Sequence, residues 1–182
     1  MDHGTFSQPP EILLSRFDIE RRVSELAAQI TQDYHGRNVH LVGILKGAWV
    51  FMADLIRHIE TDVTVDFLSI SSYGSGTHPS GEVKITKDLE ASIEGREVLI
   101  VEDILDTGRT LKFLEEILQV HKPHNLRVVT LLDKRLRRLV PVHADYVGFE
   151  IADVFVVGYG LDFDQKYRQL PDIHLLPSVQ GP

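Results

Sequence analysis

The 182-residue chain contains no cysteine. That absence excludes a disulfide framework, thiolate catalysis and a thiolate zinc site. No stretch reaches the roughly 18 uninterrupted apolar residues that a membrane helix needs. The opening residues, MDHGTFSQPP, carry neither the basic patch nor the apolar run of a signal peptide. A soluble, cytoplasmic protein is therefore expected, with no membrane partner. Positive charge is also scarce: 19 Lys and Arg face 27 Asp and Glu, a formal net charge of −8. Such a balance disfavours non-specific attraction to nucleic acid phosphates, so no nucleic acid partner is expected. Two nucleotide-binding signatures are missing too. There is no GxxxxGK[ST], and no GxGxxG follows a strand-like run, which argues against ordinary P-loop and dinucleotide folds.

What remains has a clear order. Asp18 is a candidate cap for a helix whose apolar positions, Ile19, Val23, Leu26, Ile30 and Tyr34, keep helical spacing, with Gly36 as its stop. Val39 to Leu45 is a short apolar run of the kind buried on both faces of a sheet. A helix over about Ala48 to Ile59 and a strand over Val63 to Ile70 follow. Ser71 to Gly81 is dense in Gly, Ser and Pro and reads as a loop, with Val83 to Leu89 as a strand leading back. Val98 to Val101 is the clearest central strand, Thr107 to Val120 a helix closed by Pro123, and Leu126 to Leu132 another buried strand. Strand-like runs recur at Tyr146 to Phe149 and Val154 to Val157. Strands alternating with helices predict a parallel sheet with helices on its faces, in a chain of one domain. Such sheets bind ligands at the carboxyl ends of their strands.

The chemistry concentrates at those ends. The strand VLIV runs into Glu102, Asp103, Ile104, Leu105, Asp106, Thr107, Gly108, Arg109 and Thr110 before a helix starts. Asp106 or Thr107 is expected to cap that helix. Capping does not explain two adjacent carboxylates and a third close by, which cost stability unless a cation or polyol satisfies them. The helix start offers the complement: free N–H groups, two threonine hydroxyls, an open backbone at Gly108 and a favourable dipole, all suited to a phosphate. Lys46-Gly47 lies at a second strand end, where a lone lysine is ordinarily a surface charge. Trp49 is expected in the core. Arg135, Arg137 and Arg138 read as a solvated basic face. The nine histidines form no metal set, and His121 and His124 read as capping or exposed residues beside Pro123.

The segment VLIVEDILDTGRTL resembles the phosphoribosyl-pyrophosphate motif of the type I phosphoribosyltransferases, in the form typical of their hypoxanthine-guanine branch. Three further blocks in matching order, GILKGAW, SSYGSG and FVVGYGLDFDQKYR, extend the similarity from about residue 12 to residue 176. The resemblance implies an α/β type I phosphoribosyltransferase fold: a central parallel sheet flanked by helices, with a small hood from the chain ends. The core would span about 36–145, and the hood 11–35 and 146–176. It implies an oligomer, a dimer or tetramer of identical chains.

The resemblance also assigns roles. Glu102 and Asp103 would contact the ribose hydroxyls of the donor, 5-phosphoribosyl 1-diphosphate, and stand with Asp162 as ligands of magnesium. Asp106, Thr107, Gly108, Arg109 and Thr110 would wrap the 5′-phosphate, with Asp106 also the acid or base near the purine N7. Lys46 and Gly47 would bind pyrophosphate, often through a cis peptide after Leu45, together with Arg168. Ser72 and Tyr73 would join them from a lid over Ser72 to Gly81. Lys134 would read the purine O6, Phe155 stack on the base, Val156 offer backbone atoms to its edge, and Asp162 border the same pocket. Without the resemblance, Phe155 and Val156 would be read as core. The implied reaction gives IMP or GMP plus pyrophosphate from hypoxanthine or guanine. A preference for xanthine or another base, or a regulator that senses the donor, are the alternatives. One departure is Ser69, which stands where some relatives carry a basic residue.

Overall fold

A computed structural model describes residues 11–72 and 83–176, with backbone alone at 71, 72 and 83. Its larger sheet has six strands: β2 (Val39–Leu45), β3 (Val63–Ser72), β4 (Val83–Lys87), β5 (Glu97–Leu105), β6 (Asn125–Asp133) and β7 (Tyr146–Glu150). Their order is β4-β3-β2-β5-β6-β7, with every pair parallel except β3 and β4. A smaller antiparallel sheet joins the two chain ends: β1 (Ile12–Leu14), β9 (Ile173–Leu175) and β8 (Val156–Val157), with β9 in the middle. The mostly parallel sheet flanked by helices is the expected α/β architecture.

Period two sorts the central strands onto two cores. Leu41, Leu99 and Val101 face one side, where they meet Ile19, Val23, Leu26 and Ile30 of α1 (Arg16–Asp33) and Phe51, Met52 and Leu55 of α2 (Trp49–His58). Val42, Ile44, Val98 and Ile100 face the other, against Leu111, Leu114 and Leu118 of α3 (Arg109–Val120). Both faces are covered, so β2 and β5 carry the near-continuous apolar runs seen in the sequence.

Several boundaries differ from the sequence reading. Ser15, not Asp18, caps α1: its hydroxyl accepts from the Asp18 N–H at 3.2 Å and donates to the Asp18 carboxylate at 2.6 Å. Helix α3 begins at Arg109, after Gly108 in the left-handed region, a residue with no side chain to cap it. Asp106 has no such role, whereas the Thr107 hydroxyl accepts a long hydrogen bond, 3.5 Å, from the Arg109 N–H across the turn at Gly108. Ser71 and Ser72 extend β3 rather than opening the loop, and 73–82 lie outside the described residues. Residues 146–150, expected in the hood, form β7 beside β6 in the large sheet. Trp49 is 51% exposed, because the buried face of α2 is carried by Phe51, Met52 and Leu55. Among the described residues no helix is long and apolar enough to cross a membrane.

Candidate active site

The chain leaves β2 toward β3 and β4 on one side, then returns to lay β5 on the other side of β2. Loops after β2 and β5 therefore diverge, and a crevice opens between them at the strands' carboxyl ends. Those two ends carry Lys46-Gly47 and Glu102 to Thr110. Two cavities of about 300 and 310 Å³ lie there and share Gly47, Asp103, Ile104 and Asp106 as lining. The first is bordered by Glu102, Thr107, Gly108 and Thr110; the second by Lys46, Lys134, Phe155, Val156, Asp162 and Arg168. Of the residues singled out in the sequence, Arg109 borders neither, Ser72 ends β3 and Tyr73 lies outside the described residues.

Glu102 is buried in the C-terminal half of β5. Burial pushes its carboxyl well above the usual range, and the negative Asp103 next to it pushes the same way. Asp103 is raised from 3.8 to about 6, chiefly by burial; its backbone hydrogen bonds and Arg168 act in the opposite sense. Its carboxylate sits where a side chain on Gly47 would be: a Cβ there would lie 1.6 Å from Asp103 Oδ2. Only glycine allows this approach. The Leu45–Lys46 peptide is cis.

The phosphate-side cavity ends on the first turn of α3. Gly108 has φ +85°, and a Cβ there would lie 2.6 Å from Val142 and 2.9 Å from Arg138. The chain is thus pressed close and turned so that the helix start borders the cavity, an arrangement that favours an anion. The turn before it is held from behind: Arg138 Nη1 donates to the Asp106 carbonyl at 2.7 Å, and Leu139 N to the Thr107 carbonyl at 2.9 Å. Arg138 also pairs with buried Asp133. Arg137 Nε lies 3.0 Å from Asp106 Oδ1, and its Nη1 donates to Asp153 at 3.1 Å. The expected solvated basic face is therefore corrected for Arg138, whose side chain is only 14% exposed, while Arg137 stays exposed and pairs with two carboxylates at the surface. Arg135 keeps that character, pairing with Glu150 where both side chains are exposed.

In the second cavity Lys134 is 6% exposed, and among the described residues no carboxylate pairs with its ammonium. Phe155 is 50% exposed, not core, and Phe163 meets it edge-on with ring centroids 5.7 Å apart. Phe163 carries no signature of its own in the sequence. Val156 is buried on edge strand β8. Leu176 N donates to the Phe155 carbonyl at 2.9 Å, so Val156 and Leu175 form a non-hydrogen-bonded pair. The Val156 backbone groups consequently point away from β9. Asp162 accepts from Arg168 Nη2 at 2.7 Å and from the Gln165 N–H at 2.8 Å, while Arg168 Nη1 donates to the Gly160 carbonyl. Lys46 Nζ reaches Gln165 at 3.3 Å. Asp164, Gln165 and Tyr167 in this loop all have positive φ, local strain of the kind that gathers at functional sites.

Among the described residues, no three His, Cys, Asp or Glu side chains are grouped so as to hold a metal on their own. Glu102, Asp103 and Asp162 supply hard oxygen donors only. They fit magnesium, which takes one or two carboxylates and fills its other positions with water and substrate phosphate oxygens.

A family model described as the phosphoribosyl transferase domain matches residues 11–164. The chain is 50% identical over 170 residues to the hypoxanthine-guanine phosphoribosyltransferase of Bacillus subtilis, covering 93% of this chain and 94% of that one. It is 51% identical over 166 residues to the bifunctional protein TilS/HprT of Listeria innocua, covering 91% of this chain. The chain spans 26% of the length of that relative. A crystal structure of a hypoxanthine-guanine phosphoribosyltransferase from Bacillus anthracis, with a HEPES molecule in its active site, matches at a TM-score of 0.89 and 48% identity. That match covers 93% of this chain and 100% of the other.

Proposed function

This chain belongs to the phosphoribosyl transferase family, and from that we propose that it transfers the phosphoribosyl group of 5-phosphoribosyl 1-diphosphate to hypoxanthine or guanine. A bond forms between the sugar's anomeric carbon and a ring nitrogen of the base, the bond to the diphosphate oxygen breaks, and IMP or GMP results. The observation that carries the reading is Lys134. Its residue is buried while its side chain borders the second cavity without a carboxylate partner, so it offers a bound ligand an unpaired donor. The O6 of a 6-oxopurine is an acceptor for that donor, and the exposed face of Phe155 beside it suits a flat ring.

We assign the remaining roles from the family resemblance and, where residues line the two cavities, from their place there. Thr107, Gly108, Arg109 and Thr110 hold the 5′-phosphate at the start of α3 through backbone and hydroxyl groups. Glu102 and Asp103 take the ribose hydroxyls, and their negative charge favours the cationic sugar of the transition state. Asp106, which borders both cavities, accepts or returns the proton at the purine N7. Lys46, Gly47 and Arg168, with Ser72 and Tyr73, hold the diphosphate, and Val156 offers its backbone to the purine edge. Glu102, Asp103 and Asp162 would hold magnesium, which when bound offsets charge on the departing diphosphate. Positioning and electrostatics supply the rate, and no covalent intermediate is needed.

We place the protein in the cytoplasm as a homo-oligomer, a dimer or tetramer, acting on small molecules without nucleic acid or membrane. The test is turnover of hypoxanthine and guanine with donor and magnesium. Nucleotide should form, stop on chelation and resume when magnesium is restored. Turnover unaffected by chelation would contradict the magnesium assignment, and no nucleotide under any condition would contradict the reaction.

A further inference from the structure

We propose that Arg137 is a positioning residue that fixes Asp106 against the purine pocket and ties it to the base-stacking segment through Asp153. The proposal rests on the reading of Asp106 as the acid or base. Arg137 lies in the 3₁₀ turn that follows β6, and its guanidinium spans two carboxylates on different segments: Asp106 at 3.0 Å through Nε and Asp153 at 3.1 Å through Nη1. Asp153 stands two residues before Phe155. One planar group therefore sets the distance between the proton-handling carboxylate and the segment that carries the base-stacking ring. A rigid fork suits this, whereas a lysine ammonium on a flexible stem does not.

The two oxygens of Asp106 are unequal. Oδ1 is buried without a well-aligned hydrogen bond, and Arg137 is the cation beside it. The Asp106 side chain as a whole is 40% exposed, so its exposure belongs to the remaining atoms, Oδ2 among them. Arg137 holds one oxygen and leaves the other to the cavity. The backbone beneath Asp106 does not depend on Arg137, because Arg138 and Leu139 hold the carbonyls of Asp106 and Thr107. Arg137 is itself 44% exposed, and exposed ion pairs contribute little to stability. Its removal should be read in kinetics rather than in folding.

The experiment is steady-state kinetics, with thermal melts, on Arg137→Met, Arg137→Lys, Asp153→Asn, Asp106→Asn and the Arg137→Met/Asp106→Asn pair. Arg137→Met should lower kcat by about 10–100-fold, the cost of a small misplacement, while the KM for the donor stays unchanged. Arg137→Lys should recover part of the loss, since an ammonium reaches one carboxylate at a time. Asp153→Asn should raise the purine KM with kcat largely kept. In the Asp106→Asn background, Arg137→Met should cost no further kcat, because a residue acting through Asp106 has nothing left to position. An unchanged kcat in Arg137→Met beside a slow Asp106→Asn would overturn the proposal alone. The same would follow if Arg137→Met cost as much kcat with Asp106 absent as with it present. Full turnover by Asp106→Asn would instead remove the acid or base reading, and the proposal with it.

Discussion

Glu102 and Asp103 are neighbours in the C-terminal half of β5, Glu102 buried and Asp103 half-buried against the two cavities, and burial disfavours the charged form of both. Burial pushes the Asp103 carboxyl up from its ordinary 3.8 to about 6. Its protonated form is thus the better accommodated, so its contribution to stability is fully present below about 3.8 and lost as pH rises through about 6. Asp103→Asn should therefore raise the Tm of the ligand-free protein at pH 7–8, by about 2–4 °C for each kcal/mol relieved, with little gain at pH 4. Activity should fall, because the amide handles the ribose less well. Melting curves at the two pH values check this, and a variant no more stable than the parent at pH 8 would contradict the assigned burial cost. At this scale the sequence was informative where chemistry was out of place, in the adjacent carboxylates after an apolar strand. It was silent where a residue matters through its neighbours. Arg137 and Arg138 stand in a run that reads as surface charge, and only folding brings Asp106, Asp133 and Asp153 to them.

Among the elements, those with strong periodicity were legible. The expected Val39 to Leu45 strand has those bounds in the fold, since a run buried on both faces has no other comfortable place. The edges of elements were less so. Ser15 and Asp18 are both good capping residues, and the choice between them depends on where Arg16 meets the rest of the chain: its backbone N–H donates to Asp172 at 2.8 Å. That contact crosses nearly the whole sequence and carries no local signature. Strands β1 and β9 escaped notice for the same reason, being three residues each and stable only against one another and β8. If Ser15 is the working cap, Ser15→Ala should cost about 1 kcal/mol and lower the Tm by about 2–4 °C. Asp18→Ala should cost less. Thermal melts of the two variants decide it, and the reverse ranking would restore Asp18 to the role the sequence first gave it.

For the molecule as a whole, the order β4-β3-β2-β5-β6-β7 explains why residues as distant as Lys46, Asp103, Lys134, Phe155 and Arg168 border one cavity. Parallel strands bring their carboxyl ends to one edge, and the return of the chain to β9 carries Phe155 to Arg168 over it. We propose that the chain works as one unit, the sheet supplying the donor site and the segment after β7 the base contacts. The central claim concerns which base that segment accepts. A protonated lysine donates and cannot accept, so Lys134 suits the O6 of hypoxanthine and guanine and opposes the amino group of adenine. A site built around one hydrogen bond rejects a mismatched base by roughly 10⁴–10⁵-fold, because its buried polar group is left unpaired. The direct measurement is kcat/KM for hypoxanthine, guanine and adenine, with the parent enzyme and Lys134→Gln. Both 6-oxopurines should be used and adenine nearly refused, and the glutamine variant should blunt that difference because its amide can turn either a donor or an acceptor to the base. Efficient adenine turnover by the parent enzyme would contradict the assignment of Lys134 and, with it, the 6-oxopurine reading.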